Sequence, residues 1–391
     1  MKSVVALSIV ALAAIGAIYM MTRTPEDDVE TQFQEFVATY RKSYATSDEY
    51  STRLGIFASN LQEIADQQAA NPDAEYGVNH FADWSKEERM ELLTWKPSTA
   101  KKNFVNTVGS PTKNDVNWVE EGETTPVKDQ GACGSCWAFA GIETIESAYA
   151  VTNGLFGDDI PRFSEQQMVD CARYPKYGSM GCQGGWMDDV YEYATKNALC
   201  TEAEYPYTAR DGTCQDSKCN FDSGVKSWVN IKEGDLEGLL EATELTPVAI
   251  AVDASSWSFY KGGIHKSTGT ALNHGVQVDG FHVKSSDGDY LLTRNSWGQR
   301  WGERGFIKLD TVANSGATLA ASFPLIEGMV LPRPAEVRAA LGSVDTCDNG
   351  DIADEMANCL CTDGAPCDRS AANGKNGCLS ACGCGEFGFC R

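Results

Sequence analysis

The chain has 391 residues and a formal net charge of −23 at pH 7. That length calls for two or three compact units. The charge argues against nucleic acid or an anionic membrane as partner, since both need basic surface. It fits an acidic compartment, where carboxylates are partly neutralised, and equally a surface charged only for solubility. The 9 Trp and 14 Tyr argue against a disordered chain. There are 15 Cys, an odd number, all beyond residue 132: seven between Cys133 and Cys219, eight between Cys347 and Cys390. Such density suggests an oxidising compartment, and the odd count leaves one cysteine over.

Lys2 precedes an uncharged apolar run from Val4 to Met21. Residues 1–21 read as a secretory signal peptide or, uncleaved, as a signal anchor, the one case in which a membrane is expected. No Asn-x-Ser/Thr site occurs, so N-linked glycans are not expected.

Residues 24–100 read as helical. Thr24-Pro25 is a helix start. Val29, Phe33, Phe36, Val37 and Tyr40 recur at spacings of three and four, and Tyr50, Leu54, Phe57, Leu61 and Ile64 repeat the pattern. Two amphipathic helices this short need a partner surface. Residues 101–114 lack periodicity and read as a linker and cleavage region.

Residues 115–327 form the largest unit. A helical run begins near Cys136 and includes Trp137, Ala140, Ile145, Ala148 and Tyr149; Ser164-Glu-Gln-Gln167 is a capping-box pattern ahead of Met168. Short β-like runs follow at Val248–Val252, Val276–Phe281, Tyr290–Thr293 and Gly305–Leu309. A helical half followed by a β-rich half makes an α+β unit with a cleft between halves, a common ligand site. Residues 328–346, with Pro332 and Pro334, read as a linker. Residues 347–391 hold eight Cys, a small module that needs staples because so few residues bury little core. Cys359-x-Cys361 and Cys382-x-Cys384 have no accompanying His, which favours disulfides over zinc. No metal or cofactor is expected.

The chemistry centres on Gln130-Gly-Ala-Cys133-Gly-Ser-Cys136-Trp137. A Cys at a helix N-terminus is favoured as the thiolate, the reactive form. Cys133-x-x-Cys136 is also a dithiol spacing, so a thiol oxidoreductase is a competing reading; it expects a short βαβ chain, which this is not. A thiolate nucleophile needs a base, and there are four His: His80, His265, His274 and His282. His274, just before a strand, is preferred. Asn295-Ser-Trp297-Gly, 21 residues further on, offers an amide to hold the second ring nitrogen and an indole to shield that bond. Gln130 could supply an oxyanion donor beside the Cys136 N–H.

These residues, in this order, resemble the papain family of cysteine peptidases, its cathepsin L-like branch in particular. The signature Cys-Gly-Ser-Cys-Trp is followed by His and Asn 138 and 159 residues beyond the nucleophile. Pro126–Gly131, Cys182-Gln-Gly184-Gly185 and Asn295–Gly305 add specific matches, and the likeness spans residues 30–327. The resemblance implies a papain-like two-lobed fold with a helical left lobe and a β-barrel-like right lobe. It implies Cys136 as nucleophile, His274 as base, Asn295 as its orienting partner and Gln130 in the oxyanion hole. The pair Gly184-Gly185 would line the substrate backbone, with Asn273 and Trp297 nearby. Trp186, Met187, Ala251, Leu272 and Ala320 would form an apolar pocket for the residue two before the cut. An endopeptidase is implied, because no inserted His-bearing loop lies between Gly185 and Tyr205.

The resemblance also implies the disulfides Cys133–Cys182 and Cys171–Cys214; Cys200 and Cys219 then pair with each other, and Cys136 stays free. The disulfide usual in the β-rich half is missing, since residues 220–346 contain no Cys. Glu49, Arg53, Phe57, Asn60 and Ile64 match an inhibitory propeptide helix, with Gln68 where Asn is expected, and Gly77, Asn79, Phe81 and Asp83 match its second motif. The chain is thus expected to be a proenzyme whose prosegment runs backwards through the cleft and leaves in acid. Substrates would be proteins and peptides, with cystatin-type inhibitors as further partners. The expected setting is the secretory pathway, ending in the lysosome, vacuole or extracellular space. The alternative is a catalytically inactive relative acting as a binding or inhibitor protein, against which retention of all four site residues argues.

Overall fold

The computed structural model describes residues 25–96, 104–105, 111–266, 269–311 and 320–329, plus three two-residue strands at 352–353, 359–360 and 366–367. The signal segment and nearly all of the linkers and the Cys-rich tail lie outside the described residues.

The prosegment opens with α1 (Pro25–Tyr40) and α2 (Ser47–Ala70). Thr46 caps α2 by accepting from the Glu49 N–H, and the Glu49 carboxylate accepts from the Ala45 N–H. The helices cross on an aromatic knot in which Phe33 touches Phe36, Tyr44, Tyr50 and Phe57. Polar ties complete it. Arg53 forms a bidentate pair with Glu88, and the Asn60 amide donates to Ala82 O and Trp84 O. Ile64 packs partly buried on the same core. Asp83 meets Lys42 and Tyr44, both prosegment residues, so it braces the prosegment itself. After α2 the chain forms β1 (Ala74–Tyr76), clamped by Gln68 at Ala74 O and the Tyr76 N–H. Then come the capped turn α3 (Lys86–Met90) and an extended stretch to Lys96.

The first half of the main unit contains β3 (Asp115–Asn117), α4 (Trp118–Glu121), α5 (Cys136–Asn153), α6 (Glu165–Cys171) and α7 (Met187–Ala194). Three disulfides staple this half: Cys133–Cys182, Cys171–Cys214 and Cys200–Cys219. Cys136 is free and buried. Nearly every residue of α5 is buried, so it is a central helix rather than a surface one.

The second half holds β4 (Val225–Ile231), α8 (Leu236–Thr243), β5 (Val248–Val252), β6 (Tyr260–His265), β7 (His274–His282), β8 (Tyr290–Arg294), β9 (Phe306–Asp310) and β10 (Ala320–Ile326). With β2 (Phe104–Val105), the sheet runs β1-β6-β9-β8-β7-β5-β10-β4-β2, and β3 adds to β7. The segment ahead of the main unit therefore extends that unit's sheet, its β1 pairing with β6 at one end.

The join between halves is written in β5. In a strand, alternate side chains face opposite sides. Val248, Ile250 and Val252 enter the β-side core, while Ala249 and Ala251 enter the helical core. Small residues on that face let α5 lie close. Gly275 in β7 does the same: a Cβ there would sit 3.1 Å from Met187 Sδ and 3.4 Å from Trp137 Cα.

Candidate active site

Cys136 is the first residue of α5, preceded by the N-cap Ser135, whose side chain makes no cap bond. Unpaired N–H groups and the helix dipole face this position, a setting that favours an anion. The Cys136 and Trp137 N–H groups point at its sulfur.

His274 opens β7, and its backbone neighbour Gly275 abuts the start of α5. Its Nε2 lies 2.8 Å from Asn295 Oδ1. That oxygen also accepts from the Ser296 N–H at 2.8 Å, which fixes the amide's orientation. An amide oxygen only accepts, so Nε2 carries the proton and Nδ1 is the basic nitrogen. The Trp297 ring lies 5.0 Å from the imidazole and Trp257 stands edge-on at 6.0 Å, so the hydrogen bond is dry.

A crossing between the halves sets Gln130. The Gln130 N–H donates to Ser296 O at 2.8 Å and the Gly298 N–H to Lys128 O at 3.0 Å. The Ser296 hydroxyl donates to Gln130 Oε1 at 2.6 Å, turning the NH2 group toward Cys133 O at 2.9 Å and Leu92 O at 3.4 Å. Leu92 precedes the main unit, and its carbonyl occupies this amide donor.

The following prosegment residues fill the cleft. Thr94 Oγ1 donates to Gly134 O at 2.8 Å, and the Thr94 N–H points at the Cys136 sulfur. The Trp95 N–H donates to Asn273 O at 3.0 Å, the Lys96 N–H to Gly185 O at 3.4 Å, and the Trp95 ring packs 4.5 Å from Trp186. Gly184 sits at φ +110°, where a Cβ would lie 1.9 Å from Thr94 O, so only glycine admits this approach. Trp95 joins Trp186, Met187, Ala251 and Ala320 in one apolar cluster, with Leu272 packed against it. Ala320 pairs with Ala251 across β10 and β5. Gly184, Gly185 and Asn273 thus lie along the stretch Thr94–Lys96, five of the apolar residues pack together with Trp95, and Trp297 stands on the other side, beside His274. Buried this way, Cys136 and His274 are both kept neutral. Burial pushes the Cys136 thiol up to about 11 and pulls the His274 imidazole down to about 4, against the Asn295 bond.

Docking continues behind the site. The Gly77 N–H donates to Phe259 O at 2.9 Å, the Asn79 amide to Ser258 O at 2.7 Å, and Phe81 stands edge-on to Trp297 at 5.3 Å. Sequence reasoning missed Leu92, Thr94 and Trp95, although the apolar group Leu92-Leu-Thr-Trp95 before the linker was a signal. It also missed Ser296 as the support of Gln130, for which no local pattern exists.

Residues 112–325 match the papain family of cysteine proteases, and residues 33–89 match the cathepsin propeptide inhibitor domain. The chain belongs to the papain family of cysteine proteases. It is 34% identical to cathepsin L 2 of Paramecium tetraurelia over 80% of this chain and 99% of that one. It is 33% identical to cathepsin L of Sarcophaga peregrina, covering 81% and 99% of the two chains. Digestive procathepsin L 3 from the Tenebrio molitor larval midgut superposes with a TM-score of 0.67 at 31% identity, covering 76% of this chain and 99% of that one. The protease thus has the papain-like fold and is a zymogen that carries its own inhibitory propeptide.

Proposed function

We propose that the matured protease is an endopeptidase working by acyl transfer at Cys136. The thiolate attacks the peptide carbonyl carbon while the Cys136 N–H and the freed Gln130 NH2 hold the developing oxyanion. His274, protonated at Nδ1, gives that proton to the leaving amine. It then takes a proton from water, whose oxygen attacks the thioester carbonyl and releases the acid and the thiol. Asn295 keeps the ring in one tautomer throughout. The observation that carries this reading is the one-sided hold on His274: Nε2 bound to Asn295 at 2.8 Å, Nδ1 without a partner among the described residues, and the next residue, Gly275, packed against the helix start that holds the free Cys136.

The apolar cluster around Trp186, Met187, Ala251, Leu272 and Ala320 selects a bulky apolar residue two before the cut, and the Trp95 indole packed there supports aromatic side chains as well. In the zymogen, rising residue numbers from Leu92 to Lys96 run from Gln130 toward Gly185. This order supports a reversed prosegment that offers the sulfur an N–H rather than a carbonyl carbon, and so resists cleavage. Cystatin-type inhibitors would enter the same cleft. A secretory destination, lysosomal, vacuolar or extracellular, agrees with the propeptide and the three disulfides.

The test is Cys136→Ser in the chain matured by an added protease, beside wild type matured in the same way. Hydrolysis of a peptide with Phe or Leu two before the cut should vanish, with far-UV circular dichroism unchanged. Residual turnover at the wild-type rate would exclude Cys136 as nucleophile.

A further inference from the structure

Tyr207, outside every motif above, touches both sides of the oxyanion site. Its hydroxyl donates to Gln130 O at 2.8 Å and lies 2.6 Å from Ser135 Oγ. The Gln130 carbonyl can only accept, so the tyrosine proton goes there; the Ser135 hydroxyl, which also lies 3.5 Å from Cys133 O, donates at the shorter contact to the tyrosine oxygen. Phe139, one turn into α5, fixes the phenol ring edge-on at 4.9 Å. The relay therefore joins the loop carrying Gln130 to the residue immediately before Cys136.

It has a second effect. An N-cap serine ordinarily turns its hydroxyl to the helix's free N–H groups. Ser135 makes no such bond, because its hydroxyl faces Tyr207. The N–H groups at the helix start are thus left without a side-chain cap. One phenol thus sets the spacing of the two oxyanion donors and keeps the helix terminus uncapped by a side chain.

We propose that Tyr207 is a positioning residue for transition-state binding, holding the Gln130 amide and the Cys136 N–H at the separation an oxyanion requires. The inference rests on the assignment of Gln130 as oxyanion donor. Donor geometry must hold to a fraction of an ångström for such stabilisation, and misplacing it slows chemistry rather than weakening ground-state binding.

The experiment uses the full-length chain, matured, as Tyr207→Phe, Gln130→Ala and the double variant. Tyr207→Phe should lower kcat on the order of tenfold with KM nearly unchanged, and weaken a peptide-aldehyde inhibitor by a similar factor. Alkylation of Cys136 by iodoacetamide, which forms no oxyanion, should keep its rate and serve as the check that the site is folded. In the Gln130→Ala background, Tyr207→Phe should add little. An unchanged kcat, or a full tenfold loss in the Gln130→Ala background, overturns the proposal. If Gln130→Ala alone leaves kcat and aldehyde affinity intact, the oxyanion assignment itself has failed, and the proposal with it.

Discussion

His274 is held at one nitrogen only: Nε2 lies 2.8 Å from Asn295 Oδ1, while Nδ1 has no hydrogen-bond partner among the described residues. Because the amide oxygen only accepts, Asn295 selects the tautomer with the proton on Nε2. Asn295→Ala is expected to lower kcat on the order of ten- to a hundredfold with a smaller change in KM. Steady-state kinetics on matured enzyme check this, and a change confined to KM would contradict an orienting role.

The prosegment disarms the site as well as covering it. With the thiol pushed up to about 11 and the imidazole down to about 4, both groups are uncharged from about pH 5 to 8. Removing residues 92–96 from the cleft readmits water and relieves both shifts. Iodoacetamide should therefore label Cys136 of the zymogen at least tenfold more slowly than that of the matured protease at pH 6. Equal rates would mean that the prosegment leaves the sulfur ionised and accessible.

Two of the four histidines lie at the prosegment junction, which gives acid release a specific origin. His265 of β6 meets Tyr76 OH at 2.6 Å and the Asn71 amide at 3.4 Å from the prosegment side, and Ser256 at 3.3 Å from the enzyme, beside Tyr260, Trp257 and the Lys266–Asp73 ion pair. Burial lowers it to about 4. His80 packs on Phe81, and burial together with the charges of Lys42, Arg300 and Lys261 lowers it likewise to about 4. Once released, each returns toward its ordinary value of 6.5. The free form thus binds more protons than the docked form below that value, and docking weakens as pH falls from about 6.5 toward 4. His265→Gln should lower the pH of half-maximal self-processing by about half a unit. An unchanged profile by gel densitometry would remove His265 from the account.

A buried acid cluster predicts a limit at the other end of the pH scale. Glu146 bonds Thr125, Lys128 and the Phe163 N–H, Glu165 bonds Lys128, and Arg294 bonds Asp279 and Thr125 O, whereas Glu143 Oε1 has no partner among the described residues. Burial pushes Glu143 up to about 8, against the pull of Arg294 and Lys128. Its folded value exceeds the unfolded one, so its stabilising proton is fully present below about 4.5 and is lost as pH rises through 8. Glu143→Gln should leave the Tm of the matured protease within about 2 °C at pH 5 and raise it by several degrees at pH 8.5. A parallel shift at both pH values would point to packing instead of ionisation.

Much of this was legible in local sequence. The spacing of Phe33, Phe36 and Phe57 announces the prosegment helices because burial alone dictates it, and Val248–Val252 reads as a strand with two unlike faces. His274, expected just before a strand, is its first residue. Other features depend on distant partners. The β1–β6 ladder joins Ala74 to Gly263, and β10 forms around a Pro between β4 and β5. Helix α8 interrupts the β-rich half with only Asp235 as its cap signal. At the site, residue identities were readable, but the Ser135–Tyr207–Gln130 relay was not, because 72 and 77 residues separate its partners. The sequence analysis passed over the carboxylates at 143 and 146, whose meaning needs the Lys128 and Arg294 that face them.

The most direct test of the central claim is active-site titration of acid-matured protease with an epoxysuccinyl peptide, followed by intact mass and peptide mapping. One adduct per molecule, on Cys136, with peptidase activity lost in proportion, is the predicted result. No adduct, or an adduct on another cysteine while activity persists, would contradict it.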